Sequence, residues 1–242
     1  MSPLPTMLML LVVLSMPVAT VPMSAFSLCA SSLLAVALLD LVVRCTVPVP
    51  GAQWFALHAI TNACICLLSW PSLSAALADP VHILDSTAYP PCLVGPGSKL
   101  PLHVVNALHL HHALAYPMTS AEWVHHVVFV LTLGSTGAWF DWGLLSNYLA
   151  FFLCGLPGGV EYALLAVKRS GRCSDCLCRR ASVWLNLALR APAVLIGLGM
   201  GFVATSLGRY EVPLWSIVLH DVLAAINVCY YAFVSVRRSA RL

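Results

Sequence analysis

Charge is what this chain has least of. Only 9% of its 242 residues are Asp, Glu, Lys or Arg, against the roughly 25% of an ordinary soluble domain. No charged residue precedes Asp40. The shortage excludes an ordinary soluble globule, and a net charge of +3 is too small a surplus for a nucleic-acid-binding surface. Also missing are Gly-x-Gly-x-x-Gly, a Walker loop, Gly-x-Ser-x-Gly, His-Glu-x-x-His and any Asn-x-Ser/Thr acceptor, and with them the usual signatures of nucleotide binding, serine hydrolysis, zinc proteolysis and glycosylation. Cysteine is plentiful, at 10 residues. Most of it lies in apolar stretches, so a disulfide framework is not expected.

What is present instead is hydrophobicity: 60% of the residues are apolar or aromatic, and the mean hydropathy is +0.90. The class this implies is all-α, a polytopic transmembrane helical bundle of about seven spans. The apolar stretches fall at about 24–43, 52–77, 100–117, 122–140, 143–167, 181–205 and 213–236, each near the ~20 residues that cross ~30 Å of hydrocarbon. Residues 1–23 read as a signal-like segment without the basic start such peptides carry, or as an extra apolar helix. Residues 24–49 hold the first span, 50–236 the main transmembrane domain, and 237–242 a basic tail.

Direction follows from the basic residues. Lys168, Arg169, Arg172, Arg179 and Arg180 follow the fifth span, and Arg237, Arg238 and Arg241 follow the last. Short basic loops stay in the cytosol. Two spans separate these clusters, so both lie inside, as does Arg44 on counting back. The Pro- and Gly-rich loop 79–99 falls outside. Trp54, Trp70, Trp123, Trp139, Trp142 and Trp215 stand near span ends, as an interfacial belt does.

Depth then follows from 1.5 Å of rise per residue. His112 near the end of the third span, His125 and His126 near the start of the fourth, and Glu161 near the end of the fifth come to one level in the cytoplasmic half of the bilayer. An ionisable group in hydrocarbon costs several kcal/mol, so it faces the bundle interior and marks function. At 100° per residue, Glu122 sits between His125 and His126 on an arc of about 100°. Asn106, His109 and His112 share about 120° of the third span, with His111 nearly opposite. Arg190 lies near mid-membrane in the sixth span and requires a carboxylate, a carbonyl or water. The expected catalytic groups are therefore His125, His126, Glu122 and Glu161. His109, His112, Asn106 and Arg190 are the expected substrate contacts. His58, Asn62, His103, Asn186 and Asn227 read as interhelical hydrogen-bonders, and His82 as a loop residue.

Two further features leave alternatives open. Cys173, Cys176 and Cys178 in the fifth-to-sixth loop read as free thiols, with zinc ligation or palmitoylation as weaker options. Gly155, Pro157, Gly158 and Gly159 interrupt the fifth span, either to kink it for packing or to let a backbone or lipid approach closely.

The order of these features resembles the TLC-domain family of multi-pass proteins, largely of the endoplasmic reticulum. The matching pieces are Trp54-Phe55-Ala56-Leu57-His58 opening a span and Asp79-Pro80 ending it. Ser120-Ala121-Glu122-Trp123-Val124-His125-His126 enters the fourth span, and Glu161 precedes Lys168-Arg169. The resemblance covers about residues 50–236. It implies lipid metabolism or lipid homeostasis. Family members include ceramide synthases, which join a long-chain base to an acyl group from acyl-CoA, and non-enzymatic proteins of membrane composition. His125 and His126 match the synthases' His pair, which resembles a catalytic base or acyl carrier. The synthases' later His-Asp motif is replaced here by Phe151-Phe152-Leu153-Cys154-Gly155, and His109, His111 and His112 stand where other members have aspartates.

The resemblance carries no resident cofactor, with acyl-CoA as a co-substrate, membrane lipids as partners, no nucleic acid, and room for a homo-oligomer. Three alternatives stand beside acyl transfer. One is non-catalytic lipid binding. Another is a di-metal oxygenase, suggested by the nine histidines. A minor one is a fatty-acid elongase, whose His-x-x-His-His box differs from His109-x-His111-His112. The topology is directly checkable. In sealed vesicles a membrane-impermeant maleimide should reach Cys92 from one side and Cys173 and Cys176 from the other; labelling of all three from the same side would overturn the crossing order.

Overall fold

Many of the asparagine, serine and histidine side chains on these helices are inside, while many large aliphatic and aromatic ones are outside. In a computed structural model describing residues 25–85 and 87–240, the buried set includes Thr61, Asn62, Ser69, Ser72, Asn147, Asn186 and Ser216. Leu77, Leu114, Trp139 and Phe233 are more than 60% exposed. A soluble protein would aggregate through such a surface; lipid is the solvent it suits. The signal-like segment 1–23 lies outside the described residues.

The described residues are helical, with no strand beyond an isolated bridge between Cys92 and Ser98. The helical rods are α1 (Ala25–Thr46), α2 (Pro50–Ala78), α3 (Leu100–Ala115), α4 (120–139), α5 (Leu144–Arg169), α6 (Asp175–Ser206) and α7 (Leu214–Ser239). Five of them, all but α3 and α4, are long and apolar enough to cross a membrane. The 16 residues of α3 give about 24 Å of rise, and Pro117 just beyond Tyr116 prevents its continuation. Starts and stops are local chemistry. Pro50 and Pro101 sit in first turns, where a missing N–H costs nothing. The Thr119 hydroxyl accepts from the Glu122 N–H while the Glu122 carboxylate accepts from the Thr119 N–H, a closed capping box for α4.

Three rods contain a wide π turn: His125–Leu131 in α4, Ala150–Gly155 in α5 and Leu185–Arg190 in α6. In the last two, Pro157 and Pro192 follow directly. A proline cannot bond the carbonyl four residues back, and a wide turn just before it absorbs the mismatch without breaking the rod. In α4 the Thr132 hydroxyl reaches the Val127 carbonyl, five residues back, at 3.4 Å.

The most extensive helix packing is α2 on α5. Gly155, Gly158 and Gly159 face α2 so closely that a Cβ on Gly158 would stand 2.9 Å from Asn62 Nδ2, and one on Gly155 2.9 Å from Cys66 Sγ. α1 packs on α2 and α3 through Val36, Leu57, Ala107 and Leu108. α5, α6 and α7 share a core around Leu145, Leu149, Val194, Leu198, Ala224 and Val228.

The loop 79–99 is folded back onto its end of the bundle. Asn147 Nδ2 donates to Ser72 Oγ at 2.7 Å and to the Ser98 carbonyl at 2.8 Å. Ser72 in turn donates to the Pro96 carbonyl at 2.8 Å, and Tyr210 to that of Ile83 at 2.6 Å. In the loop itself the Thr87 hydroxyl and amide hold the Asp85 carboxyl below the ordinary carboxylate range. Replacing the fully buried Asn147 by Ala removes both donations and strands the Ser98 carbonyl, an expected loss of roughly 1–3 kcal/mol. It should read as a lower thermal midpoint of the detergent-solubilised protein, and an unchanged midpoint would refute the latch.

Candidate functional site: a histidine cluster inside the bundle

Three of the inward histidines are oriented by a carbonyl of their own helix. His126 Nδ1 lies 2.8 Å from the Glu122 carbonyl oxygen, His109 Nδ1 2.8 Å from that of Val105, and His58 Nδ1 3.3 Å from that of Trp54. A carbonyl only accepts, so in each ring Nδ1 carries a proton, and whenever the ring holds a single proton Nε2 is a bare acceptor. The His126 Nε2 is buried and has no hydrogen-bond partner. Leaving a buried acceptor unmet costs about 1–3 kcal/mol; Thr61 Oγ1, Asn106 Oδ1, Ser216 Oγ and His220 Nδ1 are buried and unmet too, and what sets the His126 atom apart is its place among the other imidazoles.

The rings converge from three helices. His126 of α4 lies 4.9 Å from His112 and 5.3 Å from His109 of α3, centroid to centroid. His58 of α2 lies 6.0 Å from His112 and 6.2 Å from His109. Trp54 closes one side, 3.8 Å from His112 and 3.5 Å from His58, and Tyr162 of α5 another, 4.3 Å from His58. His125 stands 6.1 Å from His109 and turns toward α7, where its Nδ1 is 3.5 Å from the Tyr231 hydroxyl.

A second polar group adjoins this cluster. Arg190 of α6 is buried; its Nη1 donates to Asn186 Oδ1 at 2.5 Å and lies 3.5 Å from Glu161 Oε2 of α5. Ser182 donates to the other Glu161 oxygen at 2.6 Å, and the guanidinium carbon sits 5.9 Å from the Tyr231 ring. Tyr231 thus stands between the Glu161–Arg190 pair and His125.

The residues singled out from the sequence are therefore distributed as follows. His109, His112, His125 and His126 meet. Glu161 and Arg190 are paired with each other rather than with an imidazole. The Glu122 carboxylate is exposed and occupied with the Thr119 cap, while its backbone oxygen serves His126. Asn106 is spent on helix packing, donating to the Gly134 carbonyl at 3.2 Å. His111 turns the opposite way, to Asp40 of α1, whose carboxylate also accepts from Arg44 and from the Tyr116 hydroxyl at 2.5 Å.

From sequence alone His58 reads as an interhelical hydrogen-bonder, and Tyr162, Tyr231 and Asp40 do not stand out as site residues. Depth counting reaches His58: it is six residues into the apolar stretch 52–77, and His112 is five from the end of 100–117, so the two fall at about one level. Tyr162 and Tyr231 carried no such signal, because an aromatic residue in an apolar span is ordinarily core.

Among the described residues, no group of three or more His, Cys, Asp or Glu side chains is placed to hold a metal ion, so the donor geometry lends nothing to the di-metal reading. Two surface grooves are apolar, one along Leu214, Val218 and Val222 of α7 and one between α5 and α6 at Val160 and Trp184. Neither reaches the histidines. No family model, characterised protein or solved structure matches this chain.

The Glu161–Arg190 pair makes a sharp energetic prediction. Glu161→Ala strands a buried guanidinium and should cost about 3 kcal/mol. Adding Arg190→Met should recover most of that loss, as read by unfolding in mixed micelles. Equal or additive losses in single and double variants would mean the two side chains are not a pair.

Proposed function

We propose that this chain is a TLC-like membrane protein of the endoplasmic reticulum, with seven crossings and a cytosolic C-terminus, that acts on membrane lipids at the histidine cluster. The reaction that fits best is acyl transfer from acyl-CoA to a lipid amine or hydroxyl. The observation that carries it is the buried, unpartnered Nε2 of His126, whose ring is held by the Glu122 carbonyl.

In this reading His126 Nε2 takes the proton of the lipid amine or hydroxyl as that group attacks the thioester carbonyl. The tetrahedral adduct collapses, its carbon–sulfur bond breaks, and the coenzyme A thiolate leaves with the proton returned by the imidazolium. His109 and His112 flank the base, His125 and Tyr231 border the acceptor, and Arg190 with Glu161 forms a polar wall. In this scheme the substrate headgroup reaches the imidazoles through a seam between helices. Copies of the chain can associate in the membrane without changing this scheme.

A second reading, a non-catalytic protein that binds or regulates lipid at the same cluster, is favoured by a separate observation. Both candidate carboxylates are otherwise engaged, Glu122 by its cap and Glu161 by Arg190, so none backs an imidazole. Lipid mass spectrometry separates the two. Under acyl transfer, His126→Ala and His126→Gln, expressed at wild-type level and melting normally, lower one class of acylated lipid at least tenfold, and His125→Ala lowers it less. If lipid profiles stay unchanged while wild-type protein retains a stoichiometric lipid that His126→Ala loses, binding is the function. Unchanged profiles with no retained lipid remove both readings.

A further inference from the structure

The connection from α5 to α6 carries three cysteines that the histidine site does not use. Ser174 caps α6, its hydroxyl oxygen accepting from the Leu177 N–H at 3.2 Å. Cys173 immediately precedes that cap and Cys178 is the fourth residue after it. Helix entry brings these two positions together, ordinarily to pack two apolar side chains. Here it brings two sulfurs to 3.4 Å. Cys178 is buried, and its thiol also lies 3.6 Å from the Leu164 carbonyl oxygen of α5. Cys173 is half-buried and open to small reagents. Cys176 is displaced by about 200° around the helix from Cys178 and does not share the contact.

We propose that Cys173 and Cys178 are a redox modification site that closes to a reversible disulfide, with a low-molecular-weight disulfide such as oxidised glutathione as the oxidant. The Cys173 thiolate attacks one sulfur of that disulfide and expels a glutathione thiolate, leaving a mixed disulfide on Cys173. The Cys178 thiol loses its proton and attacks the Cys173 sulfur, expelling the second glutathione. Two protein thiols are oxidised and one glutathione disulfide is reduced to two thiols. The cap has already closed the short loop, and the sulfurs need only move from 3.4 Å to a bond of about 2.0 Å.

The position of the pair gives it consequences. Cys178, Ser182, Asn186 and Arg190 recur every fourth residue along one face of α6. Ser182 holds Glu161, and Asn186 holds Arg190. Disulfide formation takes the Cys178 thiol away from Leu164 and so releases the α5 contact at the end of that row. The chemistry of the thiols stands whether or not the histidine cluster handles lipid.

The test uses the full-length protein in detergent micelles, equilibrated in graded mixtures of reduced and oxidised glutathione, quenched in acid, alkylated and cut with trypsin. Cleavage after Arg172 and Arg179 isolates one peptide with all three cysteines. The expected product lacks two hydrogens and carries alkylation on Cys176 alone. C176S should close at the same glutathione ratio, and S174A, which loses the cap, should need a roughly fivefold more oxidising one. Three alkylated cysteines in fully oxidised glutathione, a bond that includes Cys176, or a glutathione adduct persisting on Cys173 would each overturn the proposal. So would loss of closure in C176S or an unshifted ratio in S174A.

Discussion

An imidazole, an amide or a guanidinium inside a bilayer has no water to fall back on, and that constraint governs how these helices meet. A polar side chain there is stabilised by bonding its own backbone or a neighbouring helix, because leaving it unpaired costs several kcal/mol. The chain uses both solutions. His58, His109 and His126 bond a carbonyl one turn earlier on their own helix. Asn106, Asn147, Arg190 and His111 reach across to another element. The cross-links hold α1 to α3, α3 to α4, α5 to α6, and the loop to the bundle. They set the rotation of each rod, which greasy contacts between lipid-like surfaces leave loose.

Arrangement therefore follows from how fully each polar group is satisfied. Asp40 has three partners of different kinds, and the Asp40–His111–Tyr116–Arg44 set reads as a closed fastening of α1 to α3. The histidine cluster is the opposite case. His58, His109 and His126 are each oriented by a carbonyl, and the buried Nε2 of His126 is left unmet, the state of a group placed to take a proton. Arg190 is intermediate, with its Nη1 engaged and its Nε unmatched.

Much of the helical layout was legible in the sequence, because charge-poor runs of about the right length have few alternatives to being apolar rods, and the prolines and caps mark where they stop. The rods lie within a few residues of the stretches read from hydropathy. Five qualify by length and composition as membrane-crossing; α3, stopped by Pro117, is too short, and α4 carries Glu122, His125 and His126 within its 20 residues. The meeting of His109, His112 and His126 followed from counting depth along antiparallel rods. The pairing of Glu161 with Arg190 did not, although each had been noted. Depth arithmetic put Arg190 near mid-membrane and Glu161 toward the cytosol, and a long guanidinium side chain spans that difference. Glu122 has a local partner that depth counting does not register. Its position after Thr119 spells a capping box, and that local bond competes for the same carboxylate that the nearby imidazoles seemed to call for.

The wide turns in α4, α5 and α6 have a consequence for how such a molecule diverges. Each spends one residue beyond the regular repeat, so the stretch after it is out of phase with the stretch before. A rod so divided is two joined cylinders whose faces need not be in register. The end bearing the histidines and the opposite end, under the folded-back loop, are thus free to change their inward-facing residues on separate schedules. One half can keep a polar centre while the other is rebuilt as plain lipid-filling wall.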